Sequence, residues 1–141
     1  MSADYFIDTN VFVYHIEAVD GRKTSIAGRI IEQAVRDGSG CISFQVVQET
    51  LNVAVRKAQV LLPPHATRVY LDSVLVPLLR TFPGVELYRR ALDLHERYRF
   101  AFYDSLIVAA ALESGCRRLY SEDLQHGQRI EGLTIENPFI E

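Results

Sequence analysis

Short apolar runs alternate along the chain with longer segments in which apolar residues recur every three or four positions. The short runs are bounded by polar residues or glycine, a pattern typical of buried strands. Recurrence at three- and four-residue steps is typical of a helix with one apolar face. The predicted strands are residues 5–7, 41–43, 81–82, 118–120 and 133–135. The predicted helices are residues 10–17, 23–36, 45–60, 65–79, 85–97 and 102–113.

The alternation of strands and helices predicts one α/β domain over residues 1–141, built on a parallel sheet that helices cover on both faces. Connections between parallel strands are right-handed, so the carboxyl ends of the strands share one edge of the sheet. Ligand-binding and catalytic groups of open α/β sheets gather at that edge. Polar residues that follow the predicted strands are therefore the first candidates for chemistry.

Charge and composition narrow the classes of function. The chain has 15 Lys and Arg against 18 Asp and Glu, a net charge of −3. Proteins that wrap duplex DNA by charge are usually basic, so this charge argues against that class of protein. The two cysteines, Cys41 and Cys116, are too few for a disulfide scaffold, so we expect a reduced, cytoplasmic setting. We expect no secretory leader, because the first residues contain neither a basic region nor a long apolar run. We expect no membrane partner, because no apolar run approaches the ~20 residues that span a bilayer.

Two acidic residues lie close to the carboxyl ends of the first two strands. Asp8 directly follows strand 5–7, where its carboxylate can face the crevice at the sheet edge or cap the helix that begins near Asn10. Glu49 lies in the helix after strand 41–43, at the border of the apolar stripe of that helix. A glutamate in such a position is usually a solvated rim residue, so each acid taken alone also has a structural explanation.

Asp104 is the strongest single signal for chemistry. It shares one side of helix 102–113 with Ile107, Val108 and Ala111. A carboxylate on an apolar helix face is costly unless it is paired, hydrogen-bonded or metal-bound. The neighbouring sequence offers no clear cationic partner, so we favour a functional role over capping of the helix start.

A fourth acid follows strand 118–120. Asp123 ends the segment Ser121-Glu122-Asp123, in which Ser121 could cap a short helix and Glu122 is an alternative functional acid. Four acids gathered at one edge would repel one another, and a divalent cation is the usual remedy. Mg²⁺ and Mn²⁺ prefer oxygen ligands and keep several waters, and such a site can activate water for phosphodiester cleavage.

The combination of these motifs, in this order, resembles the PIN-domain family. The motifs are segment 5–11 with its Asp-Thr-Asn sequence, Glu49 in a mid-chain helix, segment 102–107 around Asp104, and segment 119–123. They extend over essentially the whole chain. More narrowly, the chain resembles VapC-like toxins of bacterial toxin–antitoxin pairs.

The resemblance implies a three-layer α/β/α sandwich with a central parallel sheet, and an endoribonuclease activity that depends on Mg²⁺ or Mn²⁺. It also implies an RNA substrate, a homodimer, and a small antitoxin protein that covers the active site. By motif, the catalytic acids are Asp8, Glu49, Asp104 and Asp123. Asp8, Asp104 and Asp123 would bind the metal directly and Glu49 through a water, while Asn10 and Ser121 would orient acids or waters.

The chain departs from the family pattern after the fourth acid. Many relatives have a further Asp followed by Phe there, whereas Leu124 and Gln125 follow here. The charge of Glu122 lies directly beside that of Asp123. Either Glu122 or Asp123 could therefore be the fourth acid of the site.

Two other classes of protein also place acids at strand ends. A non-catalytic binding module could use the same pocket to hold a metal or an arginine of a partner. A receiver-like phosphoacceptor domain binds Mg²⁺ beside an Asp at a strand end, but it also needs a lysine near a late strand. The two lysines, Lys23 and Lys57, are badly placed for that role.

Overall fold

A computed structural model describes residues 3–57 and 62–141 of the chain. Six strands form one sheet in the order β3-β2-β1-β4-β6-β5. The strands are β1 Tyr5–Ile7, β2 Gly40–Ser43, β3 Leu79–Thr81, β4 Arg118–Tyr120, β5 Arg129–Ile130 and β6 Leu133–Glu136. Neighbouring strands pair in parallel, except that β5 runs antiparallel to β6. The predicted parallel sheet is confirmed, and the structure adds one antiparallel edge strand.

The helices follow the predicted apolar stripes with small shifts at their ends. They are α1 Thr9–Glu17, α2 Gly21–Asp37, α3 Phe44–Asn52, α4 Pro64–Tyr70, α5 Val76–Leu78, α6 Val85–Tyr98 and α7 Phe102–Glu113. Gly38 ends α2 with φ of 72°, a left-handed conformation that glycine adopts without steric cost. The carboxyl end of the predicted helix 45–60 lies outside the described residues.

Two predicted helices contain π-helical turns. Val53–Lys57 continues α3, and Leu71–Leu75 joins α4 to α5. The predicted helix 65–79 was one residue too long, because Leu79 already belongs to β3. Pro77 lacks an N–H and weakens the helix in this last turn.

Helices lie on both faces of the sheet. The helices of the first half contact one another, α1 with α2 and α3, and α2 with α5, whereas α6 packs along α7. Right-handed crossovers place these two groups on opposite faces, which gives the three-layer α/β/α sandwich. In the core, β1 is buried along its whole length, and residues 105–111 of α7 are all buried. None of the described helices is long and apolar enough to cross a membrane.

The strand order creates a topological switch point between β1 and β4. The chain moves outward from β1 through β2 to β3, and then returns to place β4 on the other side of β1. The connections on the two sides of such a point diverge and leave a crevice at the carboxyl ends of the strands. Residues that follow β1 and β4 therefore meet at this crevice.

Candidate active site

Asp8 lies at the centre of this crevice, directly after β1. Its side chain is only 5% exposed and accepts hydrogen bonds from the Thr9 backbone N–H and from Ser121 Oγ, each at 2.7 Å. Burial, together with smaller contributions from the charges of Asp123 and Glu49, raises the pKa of Asp8 to about 7 against the opposing effect of these hydrogen bonds. Asp8 is also the N-cap of α1, so it has both of the roles considered from sequence: it lies at the crevice and it caps the helix.

Glu49 reaches the same crevice from α3. Thr9 Oγ1 donates to Glu49 Oε1 at 2.7 Å, which links the start of α1 to α3. Gln45 Nε2 lies 3.4 Å from Glu49 Oε2 and also donates to the backbone oxygen of Tyr103 at 3.1 Å. Gln45 therefore joins Glu49 to the first turn of α7. Gln45 was not predicted from sequence, although its position one helical turn before Glu49 is a signal that could have revealed it.

Asp104 lies in the first turn of α7 and is partly buried. Ile107, Val108 and Ala111, which share its side of the helix, are fully buried. Burial raises the pKa of Asp104, and the charges of Asp123 and Glu49 add to this effect. The ion pairs among the described residues do not include Asp104, in agreement with the lack of a cation in its sequence surroundings.

Asp123 is held at the crevice by two polar neighbours. Asn10 Nδ2 donates to Asp123 Oδ2 at 3.2 Å, and the Asp123 backbone N–H donates to Ser121 Oγ at 3.2 Å. Ser121 in turn donates to Asp8, so one buried hydroxyl connects the acids that follow β1 and β4. The turn around Asp123 is not helical, so the alternative of a short helix capped by Ser121 is not what the structure contains.

Glu122 has a different environment from its neighbour. Lys23 Nζ lies 2.6 Å from Glu122 Oε2, and the Tyr14 hydroxyl donates to the other carboxylate oxygen. Burial by itself would raise the pKa of Glu122, but the hydrogen bonds from Lys23 and Tyr14 leave it below its ordinary value. Lys23 also donates to the Tyr14 hydroxyl at 3.0 Å. Lys23 and Tyr14 were not predicted, because their approach to Glu122 depends on the tertiary fold.

A cleft of about 530 Å³ opens beside these acids. Its lining includes Thr9, Asn10, Glu17, Glu49, Asn52 and Asp123. Glu17, at the end of α1, was not singled out from sequence. The lining is rich in carboxylates and amides, so the cleft favours cationic ligands or a bridging cation.

The donor set fits a hard divalent cation. Its groups are carboxylate oxygens, which Mg²⁺ and Mn²⁺ prefer. Burial raises the pKa of Asp8 and of Asp104, and the negative charges of Asp123 and Glu49 add to both increases. Among the described residues, no three His, Cys, Asp or Glu side chains are grouped tightly enough to enclose an ion. Mg²⁺ usually keeps several of its waters when a protein binds it, so carboxylates at an open crevice can hold it without enclosing it.

The acids gather at the switch point of an α/β sandwich, where open sheets of this kind place their ligand-binding and catalytic groups. The PIN domain family model matches residues 5–129, and the chain belongs to the PIN domain family. The resemblance predicted from the motifs is thus confirmed. No curated protein is significantly similar to the chain in sequence.

Solved structures of similar fold come from toxin–antitoxin systems. Mycobacterium tuberculosis VapC20, described as a sarcin-ricin loop cleaving toxin, is 20% identical, with 84% of this chain and 88% of that chain covered and a TM-score of 0.62. A toxin–antitoxin complex from Klebsiella pneumoniae is 18% identical, with 96% and 98% covered and a TM-score of 0.68. VapBC2 from Rickettsia felis, bound to a DNA fragment from its promoter, is 17% identical, with 94% and 96% covered and a TM-score of 0.64.

Proposed function

We propose that this protein is a divalent-metal-dependent endoribonuclease that cleaves RNA phosphodiester bonds. The observation that carries the proposal is the convergence of acids from β1, α3, α7 and the β4 turn at one crevice without a cation of the described chain to balance them. Asp8 is buried and Glu49 and Asp104 are partly buried, and unbalanced charge in such positions is costly in a structural role and useful in a site that binds a metal. Membership of the PIN domain family supports the same function.

Mg²⁺ or Mn²⁺ is the cofactor in this proposal, with Asp8, Asp104 and Asp123 as ligands and Glu49 acting through a water. Such an ion supplies a nucleophilic water at neutral pH and neutralises charge on the phosphate that is attacked. Ser121 and the Thr9 backbone N–H fix the carboxylate of Asp8, and Asn10 fixes that of Asp123.

Asp123, not Glu122, is the fourth acid in this proposal. Asp123 lines the cleft beside Glu49, and its hydrogen bond from Asn10 leaves oxygen lone pairs for a further ligand. Both carboxylate oxygens of Glu122 already accept hydrogen bonds, one from Tyr14 and the other from Lys23. The role of Glu122 is to hold the turn after β4, which positions Asp123.

We further propose that the protein is the toxin of a toxin–antitoxin pair and a homodimer. The acidic cleft suits an arginine of a small antitoxin, since guanidinium groups pair bidentately with carboxylates. An apolar groove of about 500 Å³ lies nearby, lined by Leu51, Val55, Leu62, Pro64 and Leu71 among others. Asn52 and Val53 of the acidic cleft lie between Leu51 and Val55 in sequence, so one antitoxin segment could occupy both.

A cytoplasmic location is part of this proposal. The RNA substrate and the antitoxin of this proposal would both reach the protein there. Cys41 and Cys116 are buried free thiols with sulfur atoms 3.5 Å apart, which suits a reducing compartment.

The test is cleavage of a panel of structured RNAs by the purified protein with Mg²⁺, with Mn²⁺ and with EDTA. We expect cleavage only with a divalent cation, and loss of cleavage in Asp8→Asn. The matched control is Asp4→Asn, which removes the same charge at the opposite end of β1, where Asp4 is exposed. RNA binding without cleavage would favour a non-catalytic module, and labelling of Asp8 by acetyl phosphate would favour a receiver-like domain.

The toxin assignment needs a separate measurement. We expect a small protein encoded by the neighbouring reading frame to co-purify with this chain and to inhibit its cleavage of RNA. If no partner co-purifies and the protein is harmless when it is expressed alone, the toxin assignment is wrong, even if the protein is shown to be a nuclease.

A further inference from the structure

Two neighbouring aromatic residues at the start of α7 are exposed to solvent. Tyr103 is 67% exposed and Phe102 is 38% exposed, while the next turns of the same helix are completely buried. Large aromatic side chains gain most from burial, so a pair left outside at one end of a core helix has a surface available for a ligand. The rings contact each other edge to face, with centroids 5.6 Å apart.

These aromatic residues border the acid crevice. Tyr103 directly precedes Asp104, and its backbone oxygen accepts from Gln45 Nε2, which also lies against Glu49. The hydrogen bond from buried Gln45 fixes the backbone of Tyr103 relative to the catalytic carboxylates. An RNA phosphate at the crevice would therefore bring an adjacent nucleotide to the first turn of α7.

Two arginines come shortly before the pair in sequence. Arg97 and Arg99 are exposed at the end of α6, and the ion pairs among the described residues include neither of them. A single RNA strand is recognised by aromatic rings that stack on its bases and by cations that contact its phosphates. Exposed aromatic rings, arginines that form no ion pair among the described residues, and continuity with the acids together favour RNA over a protein partner at this surface.

We infer that Tyr103, with Phe102 beside it, stacks on an unpaired base next to the scissile phosphate, and so selects single-stranded segments of the RNA. The inference rests on the proposed nuclease function. Stacking is tolerant of base identity, because every base has a π face. The ring thus selects an unpaired base that can turn outward, and it does not select a particular sequence.

The test measures binding of a short, fluorescently labelled single-stranded RNA by fluorescence anisotropy, in the Asp8→Asn protein, in which we expect no cleavage. We expect Tyr103→Ala to weaken binding at least about fivefold, and Tyr103→Phe to keep the wild-type affinity. The matched control is Phe82→Ala, because Phe82 is 63% exposed but lies at the end of β3. Phe82→Ala should bind as the parent does.

An abasic scan of the RNA locates the stacked nucleotide. At one position, loss of the base should weaken binding to the protein with Tyr103 and have no effect on binding to Tyr103→Ala. In the cleaving protein, Tyr103→Ala should raise KM and leave kcat unchanged. Equal affinity of Tyr103→Ala and its parent would overturn the inference, as would a loss that no abasic position reproduces.

Two further outcomes separate this inference from the proposed function. If the wild-type protein cleaves RNA but Tyr103→Ala cleaves and binds identically, the stacking role is wrong and the nuclease stands. If Tyr103→Ala alters antitoxin binding or oligomeric state with RNA affinity unchanged, the surface is a protein contact and the stacking role is overturned. Stacking with no cleavage under any divalent cation would support the inference and contradict the nuclease.

Discussion

The carboxylates that follow β1 and β4 lie at one edge of the sheet, and they differ in how their charge is balanced. Glu122 is paired with Lys23 and hydrogen-bonded by Tyr14. Among the described residues, by contrast, the partners of Asp8 and Asp123 are hydroxyl, amide and backbone N–H groups. The charge of Glu122 is therefore balanced within the protein, whereas the crevice keeps an excess of negative charge that a cationic ligand can neutralise. Adjacent acids in one turn therefore have separate functions.

The largest effect expected from this comparison is on catalysis. Asp104→Asn should lower RNA cleavage more than about 100-fold, because loss of a group that only supports a metal ligand already costs about 10–100-fold. The measurement is the initial cleavage rate at saturating Mg²⁺, with circular dichroism to verify the fold. Asp4→Asn is the control for the change in charge. A rate within tenfold of wild type would remove Asp104 from the site.

A second effect concerns stability in the absence of metal. Asp8 has a pKa of about 7 in the folded state and about 3.8 as the ordinary value, so the folded protein keeps a proton that the unfolded chain releases. The wild type therefore loses stability as pH rises from about 4 through 7, and Asp8→Asn does not. At pH 8 in EDTA, Asp8→Asn should be more stable than wild type by an amount on the order of 2 kcal/mol.

Urea unfolding at pH 5 and pH 8 measures this difference. At pH 5 the advantage of Asp8→Asn should shrink to about zero or reverse, because the wild-type carboxyl is then largely protonated and keeps its hydrogen bonds. An equal difference at both pH values would contradict the raised pKa of Asp8.

A third effect is thermal stabilisation by the metal. An ion that binds only the folded state stabilises it by mass action, so saturating Mg²⁺ or Mn²⁺ should raise the Tm by about 3–5 °C. Asp104→Asn should abolish the increase. Differential scanning fluorimetry with and without EDTA measures it, and cleavage activity without any change in Tm would argue against a metal site preformed in the fold.

The smallest effect tests the paired acid. Lys23→Met removes the cation from Glu122, and we expect the Tm to fall by a few degrees and the cleavage rate to fall less than tenfold. The double variant Lys23→Met/Glu122→Gln should recover most of the lost stability, since it leaves no unpaired half-buried charge. A loss of activity in Glu122→Gln as large as that in Asp104→Asn would place Glu122 among the catalytic acids.

Local pattern was sufficient for most of the fold. The apolar runs predicted β1, β2, β4 and β6, and the three- and four-residue periodicity predicted the helices. The strand β5 escaped prediction because it has two residues, Arg129 and Ile130, too few to show alternation. The π-helical turns were not predicted either, because their apolar spacing resembles that of an α-helix.

By itself, the sequence determined which residue types were available and near which strand ends they would lie. Asp8, Asp104 and the Ser121–Asp123 turn could be named because strand ends and apolar helix faces have local signatures. Only the tertiary structure decided which groups meet. Thr9 reaches Glu49 across 40 residues of chain, Gln45 reaches α7, and Lys23 neutralises Glu122 rather than Asp123. Strand order and helix packing set these contacts, and both depend on interactions between residues distant in sequence.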